Sequence, residues 1–242
     1  MTDQTTLSPT DLLGLLHQAM NAGDMDRVGA FTAPGAIDYG ARDGTVPGSP
    51  EHVAAWDRRR RAFRGSITDF AVTVERSVEH GDTAGQLMVA RGTVDGRPLE
   101  GAGIHIVCVR DGRIARHWAV FQGRGDQVIS PSPTEVLSQA TRSFLAGFPP
   151  GSPSWVAPDA VDHTAEGEPA KAWEGRRRAL RVRMSDPSVS VERSIESRDT
   201  VGQLIVTSGA IDGRPFRSAG FHIVRVRDGK IVEHWAVAEP LA

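Results

Sequence analysis

The chain has one cysteine in 242 residues, Cys108, which excludes an internal disulfide and suits a reducing compartment. Lysine is almost missing: Lys171 and Lys230 are the only two among 28 basic residues, so the positive charge is guanidinium. With abundant alanine, glycine and valine, that bias points to a GC-rich bacterial genome. Net charge is −2, which removes the electrostatic case for nucleic acid or an acidic membrane surface as partner. No apolar run approaches membrane-spanning length, and the first ten residues, MTDQTTLSPT, are too polar for a signal peptide. A cytoplasmic protein is expected. The eight histidines show no metal-ligand spacing, no cysteine cluster exists and no glycine-rich phosphate loop is present, so neither metal nor cofactor is expected.

What the chain does have is the same text twice. Residues 74–120 read VERSVEHGDTAGQLMVARGTVDGRPLEGAGIHIVCVRDGRIARHWAV, and residues 191–237 read VERSIESRDTVGQLIVTSGAIDGRPFRSAGFHIVRVRDGKIVEHWAV. They align without a gap at an offset of 117, with roughly two positions in three identical. Upstream, Ser8 pairs with Ser132 and Asp38 with Asp162 at an offset of 124, so a loop in the second copy is seven residues shorter. A unit of about 115 residues is too long for a solenoid repeat and matches one independent core. Two domains are expected, 1–124 and 125–242. The polar stretch from Gly123 to Pro133 serves as linker, and the Arg-Gly-Asp triplet at Arg124 is taken as a chance occurrence within it.

Each repeat begins with a helix signature. Ser8-Pro9-Thr10-Asp11 precedes Leu12, Leu13, Leu15, Leu16 and Met20 at helical spacing, and Ser132-Pro133-Thr134-Glu135 precedes Val136, Leu137, Ala140 and Phe144. A short helix is predicted around Met25–Thr32; its counterpart, FPPGSPSW, holds too many prolines for more than a turn. A further helix carries Val53, Trp56, Arg60 and Phe63, or Trp173, Arg177 and Leu180. The period then switches to two, predicting strands over Thr68–Glu79, Thr83–Val94, Arg97–Arg110 and Arg113–Gln122, with Asp111-Gly112 a strong hairpin turn. Helices followed by a meander argue for an α+β class, with helices on one face of a curved antiparallel sheet.

At the last hairpin a resemblance emerges. Val109–Trp118 (VRDGRIARHW) and Val226–Trp235 (VRDGKIVEHW) look like the closing motif of SnoaL-like polyketide cyclases, within the NTF2-like superfamily. The resemblance implies two tandem cone-shaped α+β barrels, each with an apolar pocket. It also implies a family dimer fused into one chain, an intramolecular pseudo-dimer that would be monomeric in solution.

Carried over residue by residue, the resemblance places the family's general acid–base carboxylate at Glu239. Repeat one has Gln122 there, which cannot take a proton. Asp38 and Asp162 fall where related epoxide hydrolases and isomerases keep a pocket acid, and Asp162 is followed by His163. A turn aspartate capping local amides is the plain alternative. Trp56 and Arg60, like Trp173 and Arg177, lie one helical turn apart and could present a wall and a guanidinium to an oxygen-rich ligand. Gln86, Gln203, His105 and His222 fall mid-strand among apolar residues, and strand parity alone leaves their face open. Trp118 and Trp235 alternate with His117 and His234, and share parity with the Gln122/Glu239 position.

The expected function is a cofactor-independent cyclase or tailoring enzyme acting by acid–base catalysis on a small hydrophobic, polyketide-like carbonyl substrate. Two alternatives stand beside it: an epoxide-opening enzyme pairing Asp38 or Asp162 with Asp57 or Glu174, and a noncatalytic carrier of a hydrophobic metabolite.

Overall fold

The computed structural model describes residues 7–41, 43–122, 130–151, 153–164 and 170–241. The Arg-Gly-Asp triplet and most of the inter-repeat segment lie outside them. The chain divides into two compact units, Met1–Ala119 and Val120–Ala242.

In the first unit, α1 (Pro9–Ala22) starts where the Ser8 hydroxyl accepts the Asp11 N–H at 3.1 Å, and it stops at Gly23 in the left-handed region (φ 75°). A short α2 (Met25–Ala30) and strand β1 (Thr32–Asp38) follow, then α3 (Pro50–Gly65), capped by Ser49. Four long strands complete the unit: β2 (Thr68–His80), β3 (Thr83–Val94), β4 (Arg97–Arg110) and β5 (Arg113–Phe121). The second unit repeats this with α4 (Pro133–Leu145), β6 (Val156–Asp162), α5 (Ala170–Arg183), β7 (Met184–Ser197), β8 (Thr200–Ile211), β9 (Arg214–Arg227) and β10 (Lys230–Pro240). As the prolines of FPPGSPSW require, no helix stands in the place of α2 among the described residues.

The two sheets have the same order, β1-β5-β4-β3-β2 and β6-β10-β9-β8-β7. The long strands form the expected meander, joined by two-residue turns such as Asp111-Gly112, where both residues have positive φ (49° and 69°). The short β1 adds a fifth strand, parallel to β5, with Asp38 opposite His117; β6 lies likewise on β10, with Asp162 opposite His234. These are two tandem NTF2-like α+β domains.

One face of each sheet packs on its helices. In the first unit Leu12, Leu13, Leu16, Val28 and Trp56 meet Val107, Val109 and Ile114; in the second Val136, Leu137, Ala140 and Trp173 meet Val201, Val224 and Val226. Burying such side chains stabilises the fold by about 1.5–3 kcal/mol each. The face containing Val107 also contains His105, and the face containing Val224 also contains His222. That resolves the parity question: both histidines point toward the helices.

Candidate active site

Asp38 ends β1 and is 7 % exposed; Asp162 ends β6 and is 1 % exposed. Each accepts a bond from the histidine placed opposite by the parallel pairing: His117 Nδ1 lies 3.0 Å from Asp38 Oδ1, and His234 Nδ1 lies 3.0 Å from Asp162 Oδ1. Each also has an arginine from the tryptophan-bearing helix, Arg59 Nη2 at 2.8 Å from Asp38 Oδ2 and Arg176 on Asp162 Oδ2. Backbone amides of Gly40 and Thr164 complete the sets at 3.1 and 3.0 Å. Burial alone would raise both carboxyls, but these bonds and charges outweigh it and bring each from 3.8 down to about 2. Both are therefore carboxylates at neutral pH.

The histidine rings are held from the side by tryptophan. Trp56 stacks on His117 at 5.0 Å and Trp173 on His234 at 4.2 Å. An ionised carboxylate that accepts from Nδ1 fixes the proton there and leaves Nε2 with a lone pair. A carboxylate–imidazole pair of this kind orients a base and stabilises its protonated form.

Beyond the pair the repeats differ. In repeat one, His105 stacks on His17 of α1 at 5.6 Å, and its Nε2 meets Gln86 Oε1 at 3.2 Å; Gln86 in turn donates to Ser77. Burial, together with His17 and His117, pushes His105 well below its ordinary value, and burial lowers His17 to about 4. In repeat two, Thr141 occupies the position of His17, and His222 Nδ1 lies 3.0 Å from His234 Nε2. Burial first, then the charges of His234 and Arg177, bring His222 down to about 3 against the opposing pull of Asp162; burial also lowers His234. Gln203 bonds Ser194 at 3.4 Å.

Arg60 lies over Trp56 at 4.3 Å, donates to Thr32, and borders a surface groove of about 360 Å³ lined also by Pro34, Val53 and Asp57. Arg177 lies over Trp173 at 5.2 Å and donates to the Ala140 carbonyl. Burial lowers Arg177 to about 10, so it remains a cation at neutral pH.

The other expected residues do not join this cluster. Glu239 is half-buried opposite Ala219 and shares its face with Trp235 and Val237, the face turned away from the helices and from Asp162. Gln122 follows the end of β5 and is exposed. His163 turns away from Asp162: it stacks on Trp235 at 4.9 Å and lies 3.5 Å from Glu233. Trp118 stacks on Tyr39 at 4.9 Å. Asp57 accepts from Arg61, and Glu174 accepts from Arg178 and Ser154. His117 and His234, which parity counting left out, are the direct partners of the two aspartates.

For His234 the reason is a single irregularity. The two-residue turn pairs Lys230 with Arg227 and Ile231 with Val226; the register then shifts, so that Glu233 meets Arg225 and His234 meets Val224. Without that bulge Trp235 would have stood opposite His222. One residue of slip exchanges the faces of every following side chain. Alternation alone therefore puts the wrong half of the His-Trp motif toward the helices.

The SnoaL-like domain family matches residues 14–117 and again 140–234. The chain belongs to the SnoaL-like family. Wild-type IdmH of Streptomyces antibioticus, a candidate polyketide cyclase, is 29 % identical, covering 48 % of this chain and 92 % of its own, with a TM-score of 0.42. TsrD of Streptomyces laurentii is 20 % identical over 50 % of this chain and 91 % of its own, with a TM-score of 0.40. An LEH-like epoxide hydrolase of M. tuberculosis is 18 % identical over 46 % and 80 %, at 0.37. No protein of curated function matches the chain. Among the described residues no helix is long and apolar enough to cross a membrane, and no group of three or more potential ligands is arranged to hold a metal.

Proposed function

We propose that this SnoaL-like protein is a cofactor-independent enzyme of the cyclase type, acting on a small hydrophobic carbonyl substrate of polyketide kind. The observation that carries the reading is the Asp–His pair, built twice with the same 3.0 Å bond, the same clamping arginine and the same stacked tryptophan. A turn aspartate that merely caps backbone amides has no need of a buried imidazole held in one tautomer.

The chemistry that fits is proton transfer at carbon. A neutral imidazole nitrogen accepts a proton from the carbon next to a carbonyl, and the C–H electron pair becomes an enolate. The enolate carbon then bonds to a second carbonyl carbon of the same molecule, whose oxygen takes the π electrons as alkoxide. The imidazolium returns its proton to that oxygen, giving a cyclic β-hydroxy ketone that can lose water. The aspartate stays ionised throughout and offsets the transient positive charge on the imidazole. Steps of this type are accelerated about 10²–10⁴-fold by a positioned base.

The test is conversion of synthetic poly-β-ketone thioesters by the full chain, followed by mass spectrometry for the dehydrated ring. Asp38→Asn with Asp162→Asn together should cut the rate by at least about a hundredfold. Binding without turnover by the unmodified protein would instead identify a carrier.

A further inference from the structure

The two repeats hold the same Asp–His pair but end it on different atoms. We propose that the base of repeat one is His117 Nε2, whereas in repeat two it has moved one imidazole further, to His222 Nε2. This rests on the acid–base reading above and specifies which residue meets the substrate in each domain.

The tautomers follow from the ion at the end of each chain. In repeat two, ionised Asp162 can only accept, so His234 donates from Nδ1 and its Nε2 holds a lone pair. The neighbouring contact, 3.0 Å to His222 Nδ1, then needs a donor, and His222 must supply it. Its one proton is thereby placed on Nδ1, and its Nε2 is left as the acceptor. The order Asp162, His234, His222 also runs outward: the first two are 1 % and 3 % exposed, and His222 is half-buried. His234 is therefore a positioning residue, and His222 is the more exposed end of the chain of groups.

In repeat one the corresponding step does not exist. His105 is 4 % exposed, stacked against His17, and its Nε2 faces the carbonyl oxygen of Gln86, so its proton sits on Nε2. It meets His117 only edge-on, at 5.8 Å between ring centres. The His117 side chain is 16 % exposed against 4 % for His234, so here the paired imidazole is itself accessible. The exchange of His17 for Thr141 accounts for the change. Without a ring stacked on it, His222 tilts to 42° against His234 and bonds it. Moving the base by the width of an imidazole shifts the carbon from which it can take a proton. The two domains would then act at different positions of a chain, or on different substrates.

Long-range ¹H–¹⁵N spectra of the full-length labelled protein test the assignment without any substrate. His222 should show a protonated Nδ1 and a bare Nε2, as should His117, while His105 shows the opposite tautomer. Asp162→Asn should move the His222 resonances through the intervening ring and leave His105 unchanged. A protonated Nε2 on His222, or no response to Asp162→Asn, would overturn the relay.

Turnover gives the second arm. In a His117→Gln background, His222→Gln should lower kcat of the remaining poly-β-ketone cyclisation at least about a hundredfold with little change in KM. Full retention of that activity would refute His222 as base while leaving the acid–base reading of the family site intact. The expected tautomers in a protein that never turns over would uphold the relay and remove the catalytic reading.

Discussion

Replacing Asp162 by asparagine keeps the shape of the side chain and removes its charge. The carboxylate is 1 % exposed and is held by His234, by the Thr164 amide and by Arg176. A carboxyl at about 2, where 3.8 is ordinary, corresponds to about 2–3 kcal/mol favouring the ionised form, at ~1.4 kcal/mol per pKa unit. His234 and Thr164 are what lower it, and the partly exposed Arg176 (44 %) is screened by solvent, so the lower end of that range applies. Because the folded-state value lies below the unfolded one, this stability is fully present above pH 3.8. It is lost as pH falls through about 2. Asp162→Asn should therefore unfold about 2 kcal/mol more easily at pH 7 and pH 5, with the gap closing between about pH 4 and pH 2. Urea titration followed by tryptophan fluorescence reads this as a shift in midpoint at unchanged slope. A gap that is absent at pH 7, or as large at pH 2 as at pH 7, would refute the linkage.

Burial holds His17 at about 4 against an ordinary 6.5, so the unfolded chain takes up a proton first and stability falls as pH drops from 6.5 toward 4. His17→Leu should flatten that limb, read as a smaller difference in melting temperature between pH 7 and pH 5. Trp173→Ala should cost about 3–5 kcal/mol in urea titration, because it empties the space against the His234 ring, and Trp173→Phe should cost less. Two glycines should respond in opposite directions to alanine. Gly14, on α1 with nothing within 4 Å of a new Cβ, should gain about 0.5–1 kcal/mol from helix propensity. At Gly92 the Cβ would fall 2.8 Å from the Thr68 carbonyl oxygen and closer still to Ile67, so Gly92→Ala should lower the yield of soluble protein and the melting temperature.

The duplication, the switch from helical to strand period and the Asp-Gly turns were legible in the sequence because each is a local signal. Asp38, Asp162, Trp56, Trp173, His105 and His222 were also reachable, as polar or bulky residues set among apolar ones. His117 and His234 were not, since their selection depends on two things the residues do not announce. One is the parallel pairing of a short strand 79 residues away in the chain, which sets Asp38 opposite His117. The other, for His234, is the bulge between Ile231 and Glu233, which reverses the faces of the last strand. The resemblance placed the working carboxylate at Glu239, and the bulge sets that residue on the opposite face from Asp162. The contrast between His17 and Thr141 was present in the alignment of the repeats. It acquired meaning only when α1 was seen to lay His17 against His105.

Three variants assayed side by side on one poly-β-ketone substrate test the central claim most directly: Glu239→Gln, Asp162→Asn and His222→Gln, each in a His117→Gln background. Proton transfer through the aspartate–imidazole chain predicts that Glu239→Gln turns over at the background rate while the other two fall by at least about a hundredfold. Loss of turnover in Glu239→Gln with Asp162→Asn and His222→Gln unaffected would place the chemistry on the other face of the sheet and contradict the account.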